Sequence, residues 1–302
     1  MESVKEILNK VKSQFTHKIS INQEMMSIQN GQILYLLKEM NNSKWHDREF
    51  SVFSQWGDDG LIQYLINKID IKSKSFIEFG VGDYRESNTR YLMMNNNWKG
   101  LIIEGNKKDT DTILNSEYYW KYDLLAVNSF ITVDNINDLI QQNGFEGNIG
   151  LLHIDIDGND YWVWEAIKIV QPDIAIIEYN SLLGSVRPLT IPYKSDFERK
   201  RAHSSNLYAG VSLAALCYLA NKKGYFFVGS NSAGNNAYFV LKEKISDLIP
   251  LNCLEGYVQA AFRESRGINN KLNYLSFEER QKIISKMEYI NVTNNKIEKY
   301  EI

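Results

Sequence analysis

Proline and cysteine are both scarce in this sequence, four of one and two of the other among 302 residues. So little proline argues against long, extended linkers. Cys217 and Cys253 stand far apart in apolar contexts, so they read as reduced core residues of a cytoplasmic chain, with neither a disulfide framework nor a zinc set. Long apolar runs are missing too. None approaches the ~18 residues of a membrane span, and Met1-Glu-Ser-Val-Lys5 lacks the apolar region of a signal peptide. Charge of one sign is also lacking: the net charge is −3, with no block of like charges, which points away from a nucleic-acid partner. The length suits one large domain, or one domain with appendages.

What is present centres on Ser75-Phe-Ile-Glu-Phe-Gly-Val-Gly-Asp-Tyr-Arg-Glu-Ser-Asn-Thr-Arg90 and its echo Gly100-Leu-Ile-Ile-Glu-Gly105. An apolar run ends in Glu78-Phe-Gly80-Val-Gly82, a helix is expected from about Glu86, and a second apolar run ends in Glu104. This strand–glycine turn–helix–strand–acid order is the nucleotide-cradling half of a doubly wound α/β fold. Glycines let the backbone approach a ligand closely, and the closing acid can accept hydrogen bonds from ribose hydroxyls. A dinucleotide fingerprint wants a third glycine where Arg85 stands, and Asp83 repels a pyrophosphate. An acid in the turn suits a ligand with a cationic end instead. The stretch resembles the first motif of class I methyltransferases that use S-adenosylmethionine (SAM), although Tyr84 replaces that motif's usual third glycine.

Elsewhere the pattern is mostly scaffolding. Val4, Ile7, Leu8, Val11 and Phe15 form one helical face, and Met25, Met26, Ile33, Leu34, Leu37 and Met40 mark another, either packed on the domain or serving a lid or homo-oligomer contact. Phe53-Ser-Gln-Trp-Gly-Asp-Asp-Gly60 precedes a helix; Asp58 or Asp59 would cap it, or the segment would fold over a ligand, with Gln55 as a cofactor contact. Helices are expected over Lys107–Asn115 and from Asp134, with a poorly bounded third strand over 119–133, near whose end the resemblance to class I methyltransferases implies an adenine contact from Asp123 or Asn128.

Gly150-Leu-Leu-His-Ile-Asp-Ile-Asp-Gly-Asn-Asp160 is a buried-strand pattern ending in His153, Asp155, Asp157 and Asp160. Alternation places the first three on one face. The next strand, Asp173-Ile-Ala-Ile-Ile-Glu-Tyr-Asn180, ends in Glu178 and Asn180. Neighbouring strand ends would converge Asp155, Asp157, Glu178 and Asn180 on one pocket, where like charges need a cation, a proton or a donor-rich substrate. Mg²⁺ or Mn²⁺ ligation by Asp155, Asp157 and Glu178, a metal-free general base, and structural capping all remain open. A calcium loop does not, because position 12 counted from Asp155 is Ala166.

Ile154-Asp-Ile-Asp-Gly-Asn-Asp160 resembles the I-D-V-E-G-x-E signature of FkbM-type SAM-dependent methyltransferases, with Asp157 and Asp160 in place of its glutamates. Ile176-Ile-Glu-Tyr-Asn180 is similar to that family's following strand. Ser54-Gln-Trp-Gly-Asp-Asp-Gly60, Asn135-Ile-Asn-Asp138, Ile191-Pro-Tyr193 and Gly234-Asn-Asn-Ala237 extend the resemblance over residues 50–243, to a bacterial subgroup. It implies a class I fold, SAM as cofactor, and O-methylation of sugar or polyketide-type hydroxyls.

Residues 182–206 form a polar insertion rich in basic and aromatic side chains, including Arg187, Tyr193, Arg199 and His203, which would suit an anionic sugar acceptor. After it come an apolar helix from Tyr208 capped at Gly224 and a β-hairpin of 225–229 with 236–241. Ser276-Phe-Glu-Glu279 signals a capped helix in a polar tail. The expectation is therefore a doubly wound, Rossmann-like α/β domain over 46–244, its mostly parallel sheet closed by an antiparallel hairpin, with helical extensions at 1–45 and 245–302. Glu78, Gly80, Gly82 and Asp83 are expected to hold the methionine end of SAM and Glu104 its ribose, with Asp155 also touching the cofactor. Asp155, Asp157 and Glu178 would orient or deprotonate a small-molecule acceptor, with His203 as a remote base. An NAD-linked nucleotide-sugar oxidoreductase and a non-catalytic assembly protein are the rival readings.

Overall fold

A computed structural model of the chain describes residues 23–39 and 44–301. Helix α1 covers residues 23–39. The doubly wound unit follows: α2 (Asp58–Lys68), β1 (Ser75–Phe79), α3 (Arg90–Asn96), β2 (Lys99–Glu104), α4 (Lys107–Leu114), α5 (Glu117–Lys121), β3 (Leu124–Asn128), α6 (Ile136–Gln142), β4 (Gly147–Ile154), α7 (Asp160–Ala166) and β5 (Val170–Glu178). The insertion carries β6 (Leu189–Thr190) and α8 (Arg199–Ala202). Then come α9 (Leu213–Lys223), β7 (Tyr225–Ser230), β8 (Asn236–Leu241), α10 (Cys253–Gly256), α11 (Phe277–Ile284), β9 (Glu288–Asn291) and β10 (Lys296–Lys299).

The main sheet runs in the order β3-β2-β1-β4-β5-β8-β7, and only β8 opposes its neighbours in direction. Both faces are covered, which is why its central strands read as unbroken apolar runs. Ile77, Phe79, Leu101, Ile103, Leu152 and Ile154 pack into a core on one face. Phe76, Ile102, Leu151, Ile174 and Ile176 pack into the core on the other. The strand order reverses between β1 and β4, so the crevice above their carboxyl ends is the natural ligand site of this sheet.

Three expectations change. The helix after the glycine turn begins at Arg90 rather than near Glu86, and the Glu78 carboxylate accepts the amides of Asn88 and Thr89 just before it. The 245–302 segment is not wholly helical. Its β9 and β10 form a three-stranded sheet with β6 of the insertion, over a small core that includes Leu182, Leu189, Ile284, Tyr289 and Tyr300. On α1 the face that packs is Ile28 and Tyr35, against Phe50, Phe53 and Tyr91, whereas Met25, Met26, Ile33, Leu34 and Leu37 are exposed. The Val4–Phe15 face and Met40 lie outside the described residues. The Ser276–Glu279 capping box and the Gly224 left-handed cap form as expected. Among the described residues no helix is long and apolar enough to cross a membrane.

Candidate active site

Gly80 and Gly82 both take positive φ, +73° and +53°, at the carboxyl end of β1. A Cβ on Gly80 would lie 1.7 Å from the Asp155 carbonyl oxygen, so the turn and the end of β4 can approach only through glycine. The Gly82 amide donates to Glu104 Oε2 at 2.8 Å, and the Asn106 amide donates to Glu104 Oε1 at 2.7 Å. Backbone donors thus fix the acid closing β2 beside the glycine turn.

Glu78 plays a different part from the one expected. Its carboxylate is only 2% exposed and accepts from Ser87 Oγ at 2.6 Å, from the Asn88 and Thr89 amides and from the Thr89 hydroxyl, while pairing with His153 Nδ1 at 2.9 Å. Burial opposes its ionisation, but the His153 hydrogen bond and charge prevail and hold its pKa low. Glu78 therefore frames the turn from below instead of lining the cavity above it. His153 stays with it, in contact with Asn88, and does not line the cavity. Asp83 turns away to pair with Arg85, with Nε to Oδ2 at 2.6 Å. Asp123 sits before β3, at the wrong end of that strand for the cavity. Ser129, Phe130 and Ile131, just past its carboxyl end, line the cavity instead.

Neither Asp58 nor Asp59 caps α2 through its side chain. Asp59 Oδ2 gathers the amides of Val52, Phe53 and Ser54 at 2.7–2.9 Å. Asp58 accepts from Asn231, Asn236 and Tyr238. Together they tie the 52–57 loop to the β7–β8 hairpin, and that loop presents Gln55 and Trp56 to the cavity.

The strand-end acids do converge: carboxylate oxygens of Asp155, Asp157 and Glu178 all lie within 4.8 Å of one another. Asp157 takes a left-handed φ of +57°. Fully buried Asp160 holds that turn by accepting the Ile156 and Gly158 amides, each at 2.9 Å. Burial, and next the Asp157 charge, push Asp155 up to about 6; burial and then Asp155 push Glu178 well above its usual range. Asp160 rises to about 7 for the same two reasons, burial and Asp155. The cluster already has a partner. Arg199 of α8 donates to Asp157 Oδ1 at 2.7 Å and to Glu264 Oε2 at 3.3 Å. Phe197 seats this part of the insertion so closely on Gly158 that a Cβ there would meet its ring at 2.3 Å. Oxygen donors this close suit a hard divalent cation, and Arg199 competes for the same charge. Asn180 lines the cavity, but its amide is spent on the Leu207 and Ala209 carbonyls. His203 does not line it; its Nδ1 pairs with Ser205 Oγ.

The part that sequence reasoning missed is the cover. Ala260 to Glu264, Arg266, Leu272, Tyr274 and Arg280 line the same cavity of about 1030 Å³ as Gly80, Glu104 and Asp155. Phe262 stacks on Trp56 at 5.7 Å between ring centroids, and Arg280 donates to the Phe262 and Ala260 carbonyls. Nothing periodic in the tail signals this, because its role depends on contacts with strands far away in sequence.

This sheet order with its reversed β8, a glycine turn after β1 and an acid after β2 define a doubly wound, Rossmann-like α/β fold. No family model and no curated protein matches the chain. Among solved structures it is similar to an O-methyltransferase from Bacillus cereus bound to SAH, with 13% identity over 72% of this chain and 91% of that one and a TM-score of 0.40. It is also similar to a SAM-dependent methyltransferase from Clostridium acetobutylicum, with 8% identity over 68% and 95% and a TM-score of 0.39.

Proposed function

We propose that the protein is a SAM-dependent O-methyltransferase acting on a hydroxyl of a sugar or sugar-nucleotide type small molecule. One observation carries the reading. The glycine turn with Glu104 and the acid cluster of Asp155, Asp157 and Glu178 open onto one cavity, walled by the insertion and the tail. Its volume is at the top of the ~300–1,000 Å³ usual for small-molecule sites, so cofactor and acceptor can lie side by side.

In this reading Glu104 accepts from the ribose hydroxyls, and the 129–131 segment flanks the adenine. When bound, SAM supplies an electrophilic methyl on a sulfonium. The chain's own task is to place a desolvated oxygen in line with it. Asp155, its pKa raised toward neutrality by burial, accepts the proton of the acceptor hydroxyl, and Glu178 orients that hydroxyl. Trp56 and Phe262 close the site against water. Arg199 balances the cluster, and Mg²⁺ or Mn²⁺ would need Asp157 released from it. The NAD-linked alternative is disfavoured by Arg85, which is exposed and stands where the third glycine is wanted.

Calorimetric titration with S-adenosylhomocysteine, NAD⁺, and Mg²⁺ or EDTA tests this. Micromolar binding of the homocysteine product alone supports it, and sugar nucleotides then become the acceptors to screen. Binding of NAD⁺ alone would favour the oxidoreductase, and binding of neither would leave the acid cluster a structural feature.

A further inference from the structure

The chain has nine arginines. Six of them, Arg48, Arg85, Arg90, Arg187, Arg199 and Arg201, pair with a carboxylate. The other three, Arg263, Arg266 and Arg280, form no salt bridge among the described residues, and all three line the cavity. The basic insertion has no arginine to spare for an anion: Arg187 holds Glu298, Arg201 holds Glu198, and Arg199 holds Asp157 and Glu264. The uncommitted guanidinium charge stands on the tail instead.

Backbone carbonyls fix these three side chains. Arg280 is 3% exposed, and its guanidinium donates to the carbonyls of Phe262 at 2.8 Å and of Ala260 and Ser276 at 3.4 Å. Carbonyls orient the group without neutralising it, and three bonds leave two of its five N–H donors. Arg263 directly follows the Phe262 partner and donates to the Tyr274 carbonyl at 3.4 Å. Arg266 donates to the Asn270 carbonyl at 2.9 Å. Both belong to one folded-back segment, in which the Asn273 amide donates to the Ser265 carbonyl at 3.1 Å and Arg266 bridges Leu272. Burial, and next the Arg263 charge, hold the Arg280 pKa below the usual arginine range. Buried charge needs a partner of opposite sign, and a second cation nearby sharpens that need. The cavity is thus two-ended, with Glu104, Asp155 and Glu178 at the strand ends and these arginines on the cover.

We propose that Arg263, Arg266 and Arg280 form a subsite for a phosphoryl group of the acceptor. The inference rests on the reading of this cavity as a methyltransferase site, and it narrows the acceptor to phosphorylated molecules, such as a sugar phosphate or a diphosphate-linked sugar. Guanidinium groups present forked donors that match phosphoryl oxygens in pairs. Three of them match the charge of a mono- or diphosphate better than that of a single carboxylate. The acceptor then bridges the cavity, its phosphoryl group on the cover and its hydroxyl toward Asp155, so that a remote charge holds the reacting oxygen in place.

The test titrates the full chain by calorimetry with inorganic phosphate, with inorganic pyrophosphate and, separately, with S-adenosylhomocysteine. Pyrophosphate should bind the parent saturably. Arg263→Gln/Arg266→Gln, which leaves the buried Arg280 in place, should weaken that binding at least about tenfold and keep the parent's affinity for S-adenosylhomocysteine. Arg201→Gln removes the same charge from a residue that does not line the cavity, and should bind pyrophosphate as the parent does. A second measurement needs no variant: in the parent, pyrophosphate should suppress phenylglyoxal labelling of Arg263 and Arg266, mapped by mass, but not of Arg201. Tighter binding of pyrophosphate than of phosphate supports a diphosphate-bearing acceptor, and equal binding supports a monophosphate. The proposal is overturned if neither anion binds, if the double variant binds pyrophosphate like the parent, if labelling is not suppressed, or if the double variant loses S-adenosylhomocysteine, which would give the arginines to the cofactor's carboxylate. Pyrophosphate binding without S-adenosylhomocysteine binding would sink the methyltransferase reading and keep the anion subsite; the reverse would remove the subsite alone.

Discussion

Gly82 and Glu104 meet across the first βαβ unit: the glycine amide donates to the carboxylate at 2.8 Å, joining the turn after β1 to the end of β2. In the proposed function this bond would hold the acid ready for the ribose hydroxyls. Glu104→Gln keeps the shape and removes the charge. Hydrogen bonds to charged groups contribute about 1.5–3 kcal/mol, so affinity for S-adenosylhomocysteine should fall about 10- to 100-fold by calorimetry. An unchanged affinity would place the ribose elsewhere.

Asp155→Asn separates binding from chemistry. The side chain keeps its size and loses its capacity as a base, so turnover should drop at least about 100-fold while S-adenosylhomocysteine still binds. If turnover persists, the proton goes elsewhere.

Burial raises the pKa of both Asp155 and Glu178, helped by the Asp157 charge on the first and the Asp155 charge on the second, and Arg199 lowers both. Arg199→Met removes that support, so both acids should ionise at higher pH and the acidic limb of the rate profile should shift upward. The same variant should bind Mn²⁺ more tightly than the parent, because Asp157 loses its partner. Equal Mn²⁺ affinity in the two proteins would exclude competition between Arg199 and a metal.

Stability should carry a pH signature from Asp59, whose pKa burial raises from 3.8 to about 6. A raised acid stabilises the fold fully below its unfolded pKa, and that contribution is lost as pH climbs through the folded value. The window is therefore pH 4 to 6. The loss is about 3 kcal/mol for a shift of this size. Asp59→Asn retains an oxygen for the Val52, Phe53 and Ser54 amides, so its melting midpoint should fall less than the parent's across that window. Parallel profiles would show that the carboxyl is not the cause.

Gly80 and Gly82 share a left-handed backbone but differ in surroundings. A Cβ at Gly80 meets the Asp155 carbonyl, whereas at Gly82 nothing lies within 4 Å. Gly82→Ala should cost only the backbone penalty, about 1–2 kcal/mol. Gly80→Ala adds overpacking of about 1–3 kcal/mol. Denaturant unfolding that ranks them otherwise would refute this packing account.

What the sequence settles by itself is local. Apolar runs ending in Glu78-Phe-Gly80-Val-Gly82, Glu104, Asp155 and Glu178 mark parallel strands buried on both faces with polar carboxyl ends, because a strand's pattern and its punctuation are properties of adjacent residues. Glu78 and Asp83 show the limit of that legibility. Both stand in the motif, but only folding decides that one carboxylate is spent on Ser87, Thr89 and His153 and the other on Arg85. The cover of the cavity, the place of Arg199 between Asp157 and Glu264 and the β6–β9 pairing come from tertiary structure alone. Each joins residues tens of positions apart or more. Hydrophobic periodicity shows which side of an element is buried, but not which distant segment will bury it.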